Sequence, residues 1–273
     1  MTEVFRGMWV ISYRELLRFV QERTRMLGSF AMPLLFLVIF GAGFNRMIGQ
    51  LTPGVDFIKF MFPGLIAMTV LMNSVMSGLS VVWDREFGFL KEVLVAPLNR
   101  YGIVLGKAVG SAAVAVTQGI VMLVLAPILG ISIDFMLVVK LIPLLILISL
   151  SLSGLGILVA SRMRSQQGFQ MLVQIIIMPL IFLSGVFFPI NNVPVWLEVL
   201  SKINPLTYGV DAIRQLFLNS NGATAGPGIG DGSYPLGVTV LGHNVTILED
   251  VAIVAILGAV LMTAAMLAFN KQE

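Results

Sequence analysis

The sequence predicts an all-α integral membrane protein with six transmembrane helices, an N-terminal interfacial helix, a short inner helix between spans 2 and 3, and short re-entrant outer helices after span 5. Composition is the first reason. Of 273 residues, 58% are hydrophobic and 11% charged, with a mean hydropathy of +0.97, whereas soluble domains carry roughly 25% charged residues. The second is the length of the apolar windows, at roughly 27–45, 60–82, 108–130, 141–161, 171–189 and 251–269, none of which contains Asp, Glu, Lys, Arg or His. Each is long enough to cross about 30 Å of hydrocarbon as a helix. The third is periodicity: the windows are apolar on all sides, where a β-barrel needs strands of about ten residues that alternate.

The opening MTEVFRGMWVISYRELLRFVQERTRM is too polar, and too far from the first apolar run, for a cleavable signal peptide. The first span is therefore expected to stay in the mature protein. With the amino terminus inside, Lys and Arg number five before span 1, four between spans 2 and 3, two between spans 4 and 5 and one at the tail, twelve in all, against five outside. That asymmetry follows the positive-inside rule. Both termini are thus expected in the cytoplasm.

Before span 1, Phe5, Trp9, Tyr13, Leu16 and Val20 recur at three- and four-residue steps, with Arg6, Arg14, Arg18 and Glu22 largely elsewhere around the helix. The pattern predicts an interfacial helix over 1–26; a basic topology signal that is merely helical is the alternative. Pro33, Pro63, at the opening of span 2, and Pro179 predict bends, since membrane helices tolerate proline where neighbours satisfy the freed carbonyls.

Between spans 2 and 3 the charged stretch DREFGFLKEVLVAPLNRYGIVLGK places Phe87, Leu90 and Leu94 at i, i+3 and i+7, with Asp84, Arg85, Glu86, Lys91 and Glu92 free for water or a partner. It predicts a short amphipathic helix ended by Pro97. Its length favours a docking element over a plain interfacial loop. GIVLGKA is no nucleotide-binding loop, because Gly102 and Gly106 have three residues between them where four are needed, and Ala108 follows Lys107 in place of Ser or Thr. Gly102, Gly106 and Gly110 form a small-residue ridge suited to close helix packing.

The outer segment, 190–250, starts INNVPVWLEVLSKINPLTYGVDAIRQLFL, too apolar for a free loop and too broken for a span. It predicts two short helices split at Asn204-Pro205, with Trp196 and Tyr208 as interface anchors, then a Gly-rich flexible loop. Asp211 and Arg214, three apart, are placed for an exposed ion pair. The chain has no Cys, which excludes disulfides and thiolate sites, and His243 is solitary, so no metal site is expected. The spans hold no ionisable groups, which weighs against the alternative of an ion-coupled transporter and leaves open an ion channel with a backbone-lined filter, and the chain has no G-x-S-x-G, against an intramembrane serine hydrolase.

Taken together, Arg85-Glu86-Phe87-Gly88, Pro97-Leu98-Asn99-Arg100, Gly106-Lys107 and the distant NPLTYGVDAIR of Asn204 to Arg214 resemble the membrane subunits of type-2 ATP-binding-cassette (ABC) exporters. The similarity covers nearly the whole chain, as one transmembrane domain over 1–273. It implies a permease of the drug-resistance-like branch that is not itself an enzyme, binds no cofactor directly, and relies on a separate ABC ATPase subunit carrying ATP and Mg. It also implies a cytoplasmic coupling helix at 84–100, a second permease as partner, no nucleic acid, and a multi-pass place in a prokaryotic cell membrane. Arg85, Glu86, Phe87, Gly88, Leu90 and Arg100 would belong to the ATPase-coupling surface. Phe89 and Lys91 depart from relatives that have Thr and an acidic residue there. Asn204, Pro205, Tyr208, Asp211 and Arg214 would close the outer end of the path, with substrate contact as the other reading. Met68, Met72, Asn73, Met76, Phe182 and Phe187 are placed where the resembled family lines its path, although Met and Phe stripes also serve ordinary helix packing and Asn73 also suits interhelical bonding.

Overall fold

A computed structural model describes residues 2–51, 57–87, 100–188, 190, 193–220, 238–240 and 243–270. The described chain is almost entirely helical: α1 (Thr2–Gln21), α2 (Arg23–Leu51), α3 (Phe57–Glu86), α4 (Arg100–Leu125), a 3-10 turn (Ala126–Leu129), α5 (Phe135–Arg162), α6 (Gln166–Leu183), α7 (Val195–Ile203), α8 (Pro205–Ser220) and α9 (Ile247–Asn270). Thr239–Val240 and His243–Asn244 pair antiparallel before α9.

Five segments are long and apolar enough to cross a membrane: Ile58–Glu86, Gly102–Leu129, Phe135–Arg162, Gln166–Leu183 and Ile247–Phe269. In α2 the described apolar stretch, Leu27–Gly41, is shorter. The prolines fall within helices, with Pro33, Pro63, Pro143 and Pro179 all internal. Pro63 does not open span 2, because α3 already begins at Phe57. The outer segment divides as its proline dictates: Asn204 takes extended backbone, caps α7, and leaves Pro205 to start α8. The Gly-rich loop lies outside the described residues; of the inner helix expected over 84–100, residues 84–86 instead continue α3 and 88–99 lie outside the described residues.

The core is built on α3, which packs against α2, α4, α5, α6 and α8. Of its apolar window 72% is buried, against 22% for α6 and 17% for α9. The tightest crossing is α3 on α5, where a Cβ on Gly78 would stand 2.2 Å from the Gly156 carbonyl oxygen and one on Gly156 would stand 2.2 Å from the Val75 carbonyl oxygen. Two backbones in direct contact gain dispersion that no larger side chain permits. Beside this crossing, the hydroxyls of Ser74, Ser149 and Ser111 join three helices at 2.8 and 3.3 Å.

The glycine ridge of α4 serves α1. A Cβ on Gly106 would meet Ile11 Cβ at 2.9 Å, one on Gly110 would meet Glu15 Cβ at 2.9 Å, and Ser12 Oγ donates to the Gly106 carbonyl at 2.9 Å. The buried side of α1 includes Ile11 and Phe19, while Trp9, Tyr13 and Val20 of the expected stripe face outward, joined by Val10 and Leu17. Basic residues, Arg6 and Arg14, lie exposed beside this apolar stripe.

Replacing Gly78 by Ala should force α3 from α5 and cost about 3 kcal/mol, the upper end of overpacking penalties. The same change at Gly43, where an added Cβ meets nothing within 4 Å, should leave stability nearly unaltered. Equilibrium unfolding of the two purified variants in mixed micelles checks this; equal stabilities would contradict the crossing.

Candidate functional site

Asp84, Arg85 and Glu86 gather at the C-terminal end of α3, where a helix leaves carbonyl groups to be satisfied. Lys107 of α4, 2% exposed, donates to Asp84 Oδ2 at 2.8 Å and Ser80 Oγ at 2.7 Å. Arg14 of α1 reaches the same Asp84 oxygen at 3.5 Å, and Glu15 lies 3.9 Å from Lys107. One carboxylate therefore draws α1, α3 and α4 together.

The next two residues reach across to the turn between α5 and α6. Arg85 Nη1 donates to the Met163 carbonyl at 2.6 Å and the Ser161 carbonyl at 3.4 Å, satisfying acceptors that the end of α5 leaves open. Glu86 Oε2 accepts the Gln166 N–H at 3.1 Å, at the first residue of α6, where a carboxylate also meets the positive end of the helix dipole. Ser165 caps α6 by accepting from Gly168 N. Sequence periodicity leaves Arg85 and Glu86 free for a partner; their side chains are instead turned onto the chain itself. Phe87, directly after them, is 73% exposed. Arg100 is the first residue of α4, and Gly88 and Leu90 lie outside the described residues.

Next to this polar end, α2, α3 and α6 border a half-open cavity of about 380 Å³ lined by Gly28, Ser29, Met32, Met72, Asn73, Met76, Leu79, Trp83 and Gln170. Its size falls within the roughly 300–1,000 Å³ usual for small-molecule sites. Its lining is mainly apolar, with two amides and a hydroxyl among the described residues. Asn73 Nδ2 donates to Gln118 Oε1 at 2.6 Å, and Gln118 Nε2 to Ser29 Oγ at 2.9 Å, so Asn73 both lines the cavity and bonds α3 to α4. Trp83 is held by a stack, with the Arg18 guanidinium of α1 4.2 Å from its ring centroid.

The other residues expected on the path sit elsewhere. Met68 is core, 3% exposed. Phe182 and Phe187 join Phe36 and Phe40 in a ring cluster with centroids 5.2–5.7 Å apart. Sequence reasoning missed Trp83, Leu79, Ser29, Met32 and Gln170. The signal for two of them was present: Met72, Met76, Leu79 and Trp83 continue one stripe at i, i+4, i+7 and i+11.

At the opposite end, Asn204 Nδ2 donates to the Leu180 carbonyl at 2.7 Å and its Oδ1 accepts Leu206 N at 3.0 Å. Tyr208 is buried at 6% exposed, so it holds the turn from within by donating to the Lys202 carbonyl at 2.7 Å, and is no surface anchor. Trp196 is exposed as expected. Asp211 and Arg214 are not an exposed pair. Both are buried, Arg214 Nη2 donates to the Gly185 carbonyl at 2.7 Å and stacks 4.1 Å over Phe60, and Asp211 accepts from Val238 N and Gln215. Burial pushes the Asp211 carboxyl above its ordinary range, although the Val238 N–H and Arg214 pull against it. Burial brings Arg214 down to about 10, which leaves it a cation at neutral pH.

Residues 6–218 match the model of the ABC-2 type transporter family. "Putative transport permease ycf38" of Cyanophora paradoxa is 30% identical over 211 residues, 74% of this chain and 72% of that relative. "Probable multidrug ABC transporter permease YbhR" of Escherichia coli strain K12 is 37% identical over 173 residues, 61% of this chain and 45% of the relative's length. "Nodulation protein J" of Rhizobium meliloti strain 1021 is 28% identical over 197 residues, 71% of this chain and 74% of the relative.

Lys107→Met should strand the Asp84 charge and destabilise the protein by about 3 kcal/mol, the low end of the range for breaking a buried pair because Arg14 remains near. Adding Asp84→Asn should restore most of the loss. A double variant as unstable as the single one, measured by equilibrium unfolding, would remove Asp84 from its organising role.

Proposed function

From the premise that the chain belongs to the ABC-2 type transporter family, as one of its transport permeases, we propose that it moves an amphipathic compound, drug-like or lipid-like, outward across a prokaryotic cell membrane. The power comes from a separate ABC ATPase subunit that holds ATP and Mg. Six spans form a single domain, with α2 completing the five long apolar helices, both termini and the Arg85 end in the cytoplasm, and α7 and α8 re-entering from the outside. Two permeases, identical or related, form the path.

The observation that carries this reading is the polar end of α3, where Asp84, Arg85 and Glu86 are tied to α1, α4 and the α5–α6 turn while Phe87 projects outward, 73% exposed. The 84–100 segment docks on the ATPase through Phe87, Gly88 and Leu90, with Arg100 at its far end. Arg85 and Glu86 then act within the permease: they pass displacement of the docked segment to the start of α6. Because α6 is lightly packed and bounds the cavity, that displacement opens or closes the space that takes the compound's apolar body. Asn204, Pro205, Tyr208, Asp211 and Arg214 hold the outer end shut by fixing α7 and α8 to the end of α6. A mainly apolar cavity with amide hydrogen-bonding groups fits an amphipathic cargo.

Coexpression with candidate ATPase subunits, followed by purification in mild detergent, tests this. The wild type should capture an ATPase; Phe87→Ala and Gly88→Pro should weaken capture by about tenfold, as loss of a docking anchor does. Glu86→Ala should leave capture intact and lower stimulated ATPase activity and export. Met76→Trp, which fills the cavity, should lower export alone. Failure of every candidate to copurify, or capture unchanged in Phe87→Ala and Gly88→Pro, would overturn the exporter reading; reduced capture in Glu86→Ala would return that residue to the docking surface.

A further inference from the structure

Where α8 meets α9, two carboxyl groups are buried together. Asp211 is 2% exposed and Asp250 0%. Asp211 Oδ2 accepts from Val238 N at 3.1 Å and Gln215 Nε2 at 2.9 Å. The same Nε2 lies 3.1 Å from Asp250 Oδ2 and 3.0 Å from the Val245 carbonyl. An amide nitrogen carries two hydrogens, so three acceptors compete for two donors. Among the described residues, no donor reaches the remaining oxygens, Asp211 Oδ1 and Asp250 Oδ1, which are enclosed. One amide nitrogen thus bridges an oxygen of each carboxyl.

Among the described residues, the charges around them do not balance two carboxylates. Arg214 of α8 is the cation acting on Asp211, and its Nη2 is committed to Gly185. Lys202 of α7 is paired with Glu198. Tyr208 donates to a carbonyl. His243 and Glu249 face each other at the exposed rim, 3.3 Å apart. Lys59 of α3 precedes the Phe60 ring that Arg214 covers, and Asp134 and Lys140 of α5 are exposed. A second buried negative charge without its own cation costs several kcal/mol.

We infer that Asp211 and Asp250 together bind one proton in the folded protein, and that the resulting carboxyl–carboxylate hydrogen bond fastens α8 to α9. The proton supplies the missing donor and removes the surplus charge at once. It belongs to the pair and not to either residue. Once it is lost, two like charges in a dry site repel, and the segment hung on Asp211 through Val238 loses its hold.

The sign follows from linkage. In the unfolded chain both carboxyls ionise near about 3.9, so between that pH and the titration of the folded pair the native state holds one more proton. Stability then falls as pH rises, with the unfolding constant growing about tenfold per pH unit. Equilibrium unfolding in lipid–detergent mixed micelles from about pH 5 to about pH 9 reads this slope, in a His243→Gln background that silences the rim pair. Asp250→Asn should abolish the slope, because its amide is always neutral and always donates; Asp211→Asn should do the same while its oxygen still accepts from Val238. In the unsubstituted protein, infrared difference spectra should show a protonated carboxyl stretch at neutral pH that disappears at high pH, a readout that needs no variant to fold. A flat profile before substitution, an unchanged slope in Asp250→Asn, or absence of the band overturns the inference. So does recovery of stability at high pH on adding sodium or calcium chloride in place of choline chloride, which would make the site one for a metal cation. Neither result depends on an ATPase partner.

Discussion

The ion pair between Asp84 and Lys107, 2.8 Å apart, fixes where α1, α3 and α4 meet, and the polar end of the molecule is built outward from it. A chain this apolar has little choice. Charges placed at helix ends in low dielectric must find partners within the protein, and Asp84 collects one from each neighbouring helix. With α3 pinned there, Arg85 and Glu86 fall within reach of the α5–α6 turn, and Trp83, one residue before, is turned toward the cavity. Four consecutive side chains thus address α1, α4, the end of α5 and the start of α6.

The same rule governs the middle of the bundle, by a different means. Hydroxyls of Thr69, Ser77, Ser80, Ser153 and Ser161 bond to carbonyls three residues earlier in their own helices. These spans carry many polar atoms that present little polarity to their surroundings. Between helices, contact rests on backbone approach at Gly78 and Gly156 and on a few hydroxyl and amide bridges, in keeping with association in an environment where burial of oil by oil brings no gain.

Much of the fold was legible in the sequence because its signals are local. Long uncharged windows, prolines at helix interiors and the Asn204-Pro205 break each act over one or two turns, and the structure follows them in α3 to α9. The opening of α3 lies earlier than its apolar window shows, because Phe57 to Lys59 extend the helix ahead of position 60 and Pro63 sits inside it. The family was legible from two separated motifs. The partners of Arg85 and Glu86 were not, since Ser161, Met163 and Gln166 lie 76 to 80 positions away and periodicity has no access to such pairs. Tyr208, Asp211 and Arg214 were read as surface groups for the same reason: their amphipathic helix is covered on its polar side by α9 and by Val238, which local pattern does not foresee.

The Trp83 ring has one further consequence. It forms part of the cavity wall and also carries the Arg18 guanidinium of α1. A compound seated against that indole and a shift of α1 that moves Arg18 would meet on one side chain, and any coupling between them would be a shared free energy. Thermodynamic reciprocity makes the exchange symmetric: whatever factor a seated α1 contributes to occupancy of the cavity, occupancy returns to the seating of α1. A lone aromatic side chain is thereby common to the wall of the cavity and the seat of α1.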